Sequence, residues 1–303
     1  MWPALACAVV ATVAVLAGCG GTGGPGPSSA ATSRPEPSDA AAVSHPCGQR
    51  AHPVRRVAWI VLENHSYSDI IGSAHAPYLN HVAASCGLAT NFTAEAHPSL
   101  PNYIAMTSGA TQGIGDDDDP SAHRLTVPSI FSQLGGHWRA LQESMPRACA
   151  LADAGSYAVR HNPATYYIAV RRACARQDLP LRGLPALSAR FTFVTPNLCD
   201  DMHSCPVRAG DRWIAGWLPS VLRSAAYRSG SMAIFITWDE DDGASDQHIP
   251  TIVMSAGTRP GTRSATPFNH YSLLRTTEEI LGLPDRLGAA ATARSMRTAY
   301  GLG

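Results

Sequence analysis

Glu63-Asn64 and Asp239-Glu240 supply four oxygen donors in two adjacent pairs, about 175 residues apart in the chain. Three of the four are acids, and acids brought together repel unless a cation or a shared proton holds them. Each pair directly follows an apolar run: Val57-Ala58-Trp59-Ile60-Val61-Leu62 in one case, Met232-Ala233-Ile234-Phe235-Ile236-Thr237-Trp238 in the other. Runs of this kind read as strands buried on both faces of a parallel sheet. Ligands of open α/β sheets gather beyond the carboxyl ends of such strands, so both pairs are expected at one edge. The chemistry this implies is hydrolysis with the help of a metal ion.

Ser99 is the second chemical feature. In His97-Pro98-Ser99-Leu100-Pro101-Asn102-Tyr103 it precedes the apolar stretch Ile104-Ala105-Met106 in the manner of a helix N-cap. Pro101 then falls in the first turn, where its missing N–H costs nothing. A helix N-terminus suits an anion such as phosphate. A serine hydroxyl is a poor nucleophile unaided, and metal coordination would activate it. Taken alone, a capping role is the better reading of such a serine.

The elements that must position these residues follow from periodicity. Phe191-Thr192-Phe193-Val194-Thr195 and Ile249-Pro250-Thr251-Ile252-Val253-Met254 read as further strands; Pro250 argues that the latter starts late or lies near an edge. Trp213, Ile214, Trp217, Leu218, Val221 and Leu222 recur at helical spacing, which marks the tryptophans as packing residues. Leu273, Leu274, Thr277, Ile280 and Leu281 do the same, with Glu278 and Glu279 on the other face. Alternating strands and helices predict an α/β fold with a mostly parallel central sheet flanked by helices. Residues 111–187 show no clear pattern and read as inserted loops.

Composition narrows the function. Net charge is zero and no basic run stands out, so nucleic acid is not an expected partner. The chain has no lysine, which excludes Schiff-base and Walker-type lysine chemistry. Residues 4–17 are apolar but too short to span a bilayer, as in a signal-peptide core, although no Arg or Lys precedes them. Leu16-Ala17-Gly18-Cys19 resembles a bacterial lipobox. Residues 1–18 are therefore expected to be a signal peptide and Cys19 to be lipidated, on an exported protein anchored to the cell membrane; secretion after ordinary cleavage is the alternative. The Gly-, Pro-, Ser- and Ala-rich segment up to residue 46 reads as a disordered tether, leaving 47–303 as one catalytic domain. Six further cysteines in an exported chain argue for disulfides. Cys199–Cys205 is expected from the short loop between them, and Cys47–Cys86 and Cys149–Cys174 from sequence order.

Five segments carry a specific resemblance. Ile60-Val61-Leu62-Glu63-Asn64-His65-Ser66-Tyr67, the 97–103 segment and Thr195-Pro196-Asn197-Leu198-Cys199-Asp200-Asp201-Met202-His203 are followed by Thr237-Trp238-Asp239-Glu240-Asp241-Asp242-Gly243 and Asn269-His270-Tyr271-Ser272-Leu273-Leu274-Arg275-Thr276. In this order they resemble the bacterial phosphoesterase family of acid phosphatases and phosphatidylcholine-type phospholipases C, within the alkaline phosphatase superfamily. The resemblance implies that Glu63, Asn64, Ser99, Asp239 and Glu240 surround a divalent metal, with Ser99 taking up the phosphoryl group. It implies that His203 and His270 bind the phosphate or protonate the leaving oxygen. Asn102 is expected on the substrate side, and His97 and Asp201 either there, beside the phosphate, or behind the ligands as their support. His65 and His248 stay open, while His45, His52, His75, His123, His137 and His161 read as structural or solvated. An all-oxygen donor set favours Mg²⁺, Ca²⁺ or Mn²⁺; Zn²⁺ becomes credible if the histidines close a second site. The acidic run Asp116–Asp119 reads as a solvated turn.

The implied function is hydrolysis of a small phosphomonoester through a phosphoseryl intermediate. Phospholipase C action is the nearest alternative. A sulfatase is disfavoured, because Tyr103 stands where its motif requires Arg. A non-catalytic surface lipoprotein is the reading from a different class.

Overall fold

A computed structural model describes residues 46–49, 52–183, 187–243 and 246–303. The expected signal peptide, the lipidated Cys19 and nearly all of the tether lie outside the described residues.

The two apolar runs form adjacent central strands. β1 (Arg56–Leu62) pairs in parallel with β7 (Met232–Trp238), in a register that sets Leu62 opposite Trp238. Val57–Leu62 and all of Met232–Trp238 are buried, as strands covered on both faces must be. Between them in sequence come β2 (Gly87–Ala89), β3 (Phe92–Thr93), β4 (Trp138–Gln142), β5 (Asp178–Pro180) and β6 (Phe191–Thr195); β8 (Thr251–Ser255), β9 (Thr262–Ser264) and β10 (Phe268–Asn269) follow. Eight of these build one sheet in the order β5-β4-β6-β1-β7-β8-β2-β9, and β3 pairs with β10 in a small second sheet. β8 is antiparallel to both its neighbours, while every other pairing in the large sheet is parallel.

One expectation holds here and two need correction. β8 starts just after Pro250, the first of the two expected outcomes, and so can lie inside the sheet between β7 and β2; a proline ahead of the ladder takes no hydrogen bond from it. The supposed loops of 111–187 contain β4 and β5, which extend the large sheet at one end. Arg139 and Gln142 interrupt the apolar pattern of β4, and Pro180 is tolerated because β5 is an edge strand.

The second correction concerns a helix. The described helices include α1 (Pro77–Ser85), α2 (Ser99–Ser108), α3 (Arg171–Gln177), α4 (Val207–Leu222) and α5 (His270–Ile280). α4 buries Ile214, Trp217, Leu218, Val221 and Leu222 as its spacing predicts. α5 is capped by the Asn269 side chain, buries Leu273, Leu274 and Thr277, and packs on β1 through a Trp59 Nε1–H donation to Thr277 Oγ1 at 3.0 Å. Glu278 belongs to the buried face rather than the solvent face. Its carboxylate accepts the Leu287 N–H, and burial pushes its pKa up to about 7.

The six cysteines pair as expected: Cys47–Cys86, Cys149–Cys174 and Cys199–Cys205. The last closes the loop that carries Asp201 and His203.

Candidate active site

Strand register creates the site. Because Leu62 and Trp238 are opposite one another, the next residues, Glu63 and Asp239, emerge side by side at the carboxyl edge. The Asp239 N–H bonds to Leu62 O at 3.0 Å, and the Asn64 N–H to Asp239 Oδ1 at 3.2 Å. Asn64 adopts φ 47°, a left-handed turn that asparagine tolerates better than most residues. β6 is the other neighbour of β1, so the 196–205 loop reaches the same edge, where Asp201 O accepts the Glu63 N–H at 2.9 Å.

Ser99 comes from α2. It is the first residue within the helix, and Pro98 occupies the N-cap. The expected capping role is thus not the one found: the Ser99 hydroxyl donates towards Glu63 Oε2 at 3.1 Å and Glu240 Oε1 at 3.4 Å. The side chain is buried, so this geometry is set by the core rather than by solvent.

Asn64 Oδ1, Asp239 Oδ2 and Glu240 Oε2 are buried without an aligned hydrogen-bond donor among the described residues. His97 Nδ1 lies 2.6 Å from Glu240 Oε2, out of hydrogen-bond alignment, and its Nε2 lies 3.1 Å from Asp241 Oδ1. Burial and mutual repulsion hold these acids towards their protonated forms. Glu63 is raised strongly, first by burial and then by Asp239 and Asp201. Glu240 is raised to about 9, again by burial first and Asp239 next; burial raises Asp239 to about 6. Orphaned buried oxygens beside acids that resist ionisation are the donor set a hard divalent cation satisfies. Glu63, Asn64, Ser99, Asp239 and Glu240 therefore fit such an ion.

The neighbouring donor group includes a residue that the sequence reading set aside. His161 is buried, with Nε2 3.2 Å from Glu63 Oε2 and Nδ1 3.3 Å from Asp201 Oδ2; donor atoms of these three residues lie within 4.8 Å of one another. Burial, then Arg160 and His203, hold its pKa well below the usual range, so it is neutral. Tyr103 stacks on its ring and donates its hydroxyl to Glu63 Oε1. An isolated histidine in an unpatterned segment carries no sequence signal of such a role.

The expected substrate-side residues are distributed differently. Asn102 is fully buried. Its Oδ1 accepts the Glu95 and Ala96 N–H groups and its Nδ2 donates to Ala96 O and Pro98 O, so it braces the turn before Ser99 instead of facing substrate. Asp201 is also fully buried; its Oδ1 accepts the His203 N–H, and burial raises its pKa to about 8. Asp117, from the acidic run read as solvated, accepts the Leu100 N–H at 2.9 Å and thereby tethers the start of α2.

Neither candidate acid is placed as an imidazolium. His203 is exposed at the rim, and its Nε2 lies 3.2 Å from Arg160 Nη2; a guanidinium only donates, so Nε2 must be the acceptor. Burial and Arg160 lower its pKa. His270 is buried and donates from Nε2 to Trp238 O at 3.0 Å; burial lowers its pKa to about 4, and Nδ1 has no hydrogen-bond partner. Of the two histidines left open, His248 stacks on Tyr67 and lies 3.1 Å from Thr90 O, whereas His65 pairs with Asp69 at 3.6 Å.

This arrangement of sheet and helices has known counterparts. The fold is similar to a protein of the alkaline phosphatase superfamily from Vibrio parahaemolyticus (TM-score 0.54, 10% identity, 86% of this chain and 79% of that one). It is also similar to the lipoteichoic acid synthase LtaP from Listeria monocytogenes (TM-score 0.56, 10% identity, 82% and 79%). Identities this low define the fold alone. The profile of the Phosphoesterase family matches residues 72–284, and the chain belongs to that family and is a phosphoric ester hydrolase. It is 34% identical over 257 residues to the phosphatidylinositol-3-phosphatase of Mycobacterium tuberculosis, covering 81% of this chain and 82% of that protein. It is 28% identical over 249 residues to an acid phosphatase of Aspergillus fumigatus, where the match takes in 74% of this chain and only 54% of the fungal protein.

Proposed function

We propose that this phosphoesterase is a metal-dependent phosphomonoesterase of the acid phosphatase type, with Ser99 as nucleophile. The observation that carries this reading is the Ser99 hydroxyl, directed at Glu63 and Glu240 from the first turn of α2. When bound by Glu63, Asn64, Ser99, Asp239 and Glu240, a divalent ion would supply Lewis-acid stabilisation of charge at the serine and phosphoryl oxygens. The chain's own residues do the rest. Ser99 Oγ attacks phosphorus and its proton passes to a neighbouring carboxylate, which a bound cation would keep ionised; the leaving group departs as the alkoxide, and water later releases phosphate from the phosphoserine. Glu63 is held for this by Tyr103, with His161 packed beside it, and the Ser99 turn is held by Asn102 and Asp117.

Export and lipidation at Cys19 remain part of the proposal. Three disulfides support an oxidising compartment. A lipid anchor would bring the enzyme near phosphorylated lipid headgroups, the substrate class that the mycobacterial relative's name describes.

The test is a panel of phosphomonoesters, phosphodiesters and phosphatidylcholine, assayed with chelator and with metal restored. Turnover of monoesters that depends on metal, with a phosphate trapped on Ser99 by rapid acid quench, is expected. Activity confined to phosphatidylcholine would replace the reading with a phospholipase C. Absence of turnover with every metal would favour a binding protein.

A further inference from the structure

Arg160 and His161 are consecutive, and each leads back to the nucleophile by a short chain. His161 Nε2 lies 3.2 Å from Glu63 Oε2, which accepts from Ser99. Arg160 Nε lies 3.7 Å from Asp117 Oδ2, and the other oxygen of Asp117 accepts the N–H of Leu100, the residue after Ser99. The guanidinium is thereby fixed beside the N-terminal turn of α2, at the mouth of the acid cluster.

Its partners in this state are weak. Among the described residues, Nη1 is 3.9 Å from Asp153 Oδ2 and Nε has no hydrogen-bond partner, while Nη2 is at 3.2 Å from the neutral imidazole of His203. The side chain is only 16% exposed, so it is largely stripped of water without having gained full ion pairs in exchange. A planar fork of five donors in that condition matches the oxygens of a phosphoryl group. Phosphate oxygens in hydrogen-bond reach would win over carboxylates held beyond 3.5 Å, because charge-assisted hydrogen bonds need short contacts.

We propose that Arg160 is a substrate-binding residue that takes the non-bridging oxygen present in a phosphomonoester and absent from a diester, so that the site selects dianionic monoesters. A monoester presents three such oxygens and close to two negative charges at neutral pH. A diester has one of those oxygens esterified, which leaves the guanidinium facing a neutral ether oxygen. Asp117 and His203 are the positioning residues that aim it. The inference rests on Ser99 being the phosphoryl acceptor.

The full chain with Arg160→Met and Arg160→Lys is compared with wild type on nitrophenyl phosphate and bis-nitrophenyl phosphate. Inhibition by inorganic phosphate and the thermal shift that phosphate induces are read alongside. The monoester kcat/KM should fall roughly 10- to 100-fold in the methionine variant, the range that one charge-assisted hydrogen bond represents. The phosphate inhibition constant should rise by a similar factor, while diester turnover changes less than about threefold on the same scale. Added guanidinium should restore monoester turnover to Arg160→Ala. Equal loss on both esters, or unchanged phosphate inhibition, overturns the proposal. If the methionine variant does not fold, the lysine variant decides, since it keeps the charge but not the fork. Wild type inactive on every ester would instead defeat the phosphatase reading, and the phosphate thermal shift would still report on Arg160.

Discussion

His161 lies against the Tyr103 ring, with centroids 5.3 Å apart and planes 11° from parallel, and both reach the same carboxylate. Tyr103 donates to Glu63 Oε1, and His161 Nε2 stands 3.2 Å from Glu63 Oε2. The Tyr103 hydroxyl orients the acid that faces Ser99, and the stacked imidazole lies against its other oxygen without an aligned hydrogen bond.

Tyr103→Phe removes one side of this grip while keeping the ring. A buried acceptor left without its donor costs about 1–3 kcal/mol, so the melting temperature should drop by several degrees. Metal retained after dialysis and turnover should both fall. Unchanged values for both would mean that Glu63 does not depend on the tyrosine.

Ser99→Ala should remove turnover by several orders of magnitude, as loss of a covalent nucleophile does. Pro98, not Ser99, occupies the N-cap, so even the cost of about 1 kcal/mol for losing a capping side chain should not be reached. Near-normal activity in the folded variant would rule out the phosphoseryl route.

Glu63→Ala and Asp239→Ala each delete a negative oxygen donor from the cluster and should lower the divalent metal content of purified protein. Elemental analysis beside wild type is the measurement. Full occupancy in both variants would mean that shared protons hold the acids together.

His203→Gln and His270→Gln should reduce turnover on nitrophenyl and alkyl phosphates by similar factors, without moving the pH profile. Both imidazoles are held neutral, one as the acceptor of a donation from Arg160 and the other by burial, which outweighs the opposing effect of its bond to Trp238. A loss confined to poor leaving groups would restore either residue as the general acid.

Stability should fall as pH rises from mild acid to neutrality. Burial raises Asp178 from the usual 3.8 to about 7, and Glu278 from 4.5 to about 7. Between those values the folded protein keeps protons that the unfolded chain has released, which favours unfolding as pH increases. The stabilisation is therefore complete below about pH 4 and lost as pH passes about 7. Each acid accounts for a few kcal/mol at most, on the order of 1.4 kcal/mol for every tenfold change in acidity. Asp178→Asn and Glu278→Gln should flatten the pH dependence of the melting temperature; an unchanged slope in both would assign it to the cluster around Glu63.

The sequence by itself determined the central strands and the donors at their ends. Val57–Leu62 and Met232–Trp238 are apolar throughout, and such runs have few alternatives to a strand covered on both faces. The helical stripe of 213–222 and the Cys199–Cys205 pairing are equally local in their signals, whereas Cys47–Cys86 and Cys149–Cys174, 39 and 25 residues apart, rest on sequence order alone. Tertiary structure alone decided what the unpatterned middle of the chain contributes. β4 and β5 are set by pairing with β6 and with each other, not by periodicity. Likewise, His161 and Asp117 meet the Ser99 turn only because the chain returns to the edge made by β1 and β7. Lone polar residues in such segments look alike in sequence, and burial against a specific partner is what separates a site residue from a solvated one. The same reasoning explains Asn102 and Asp201, whose motif membership was legible but whose complete burial, and hence their bracing roles, was not.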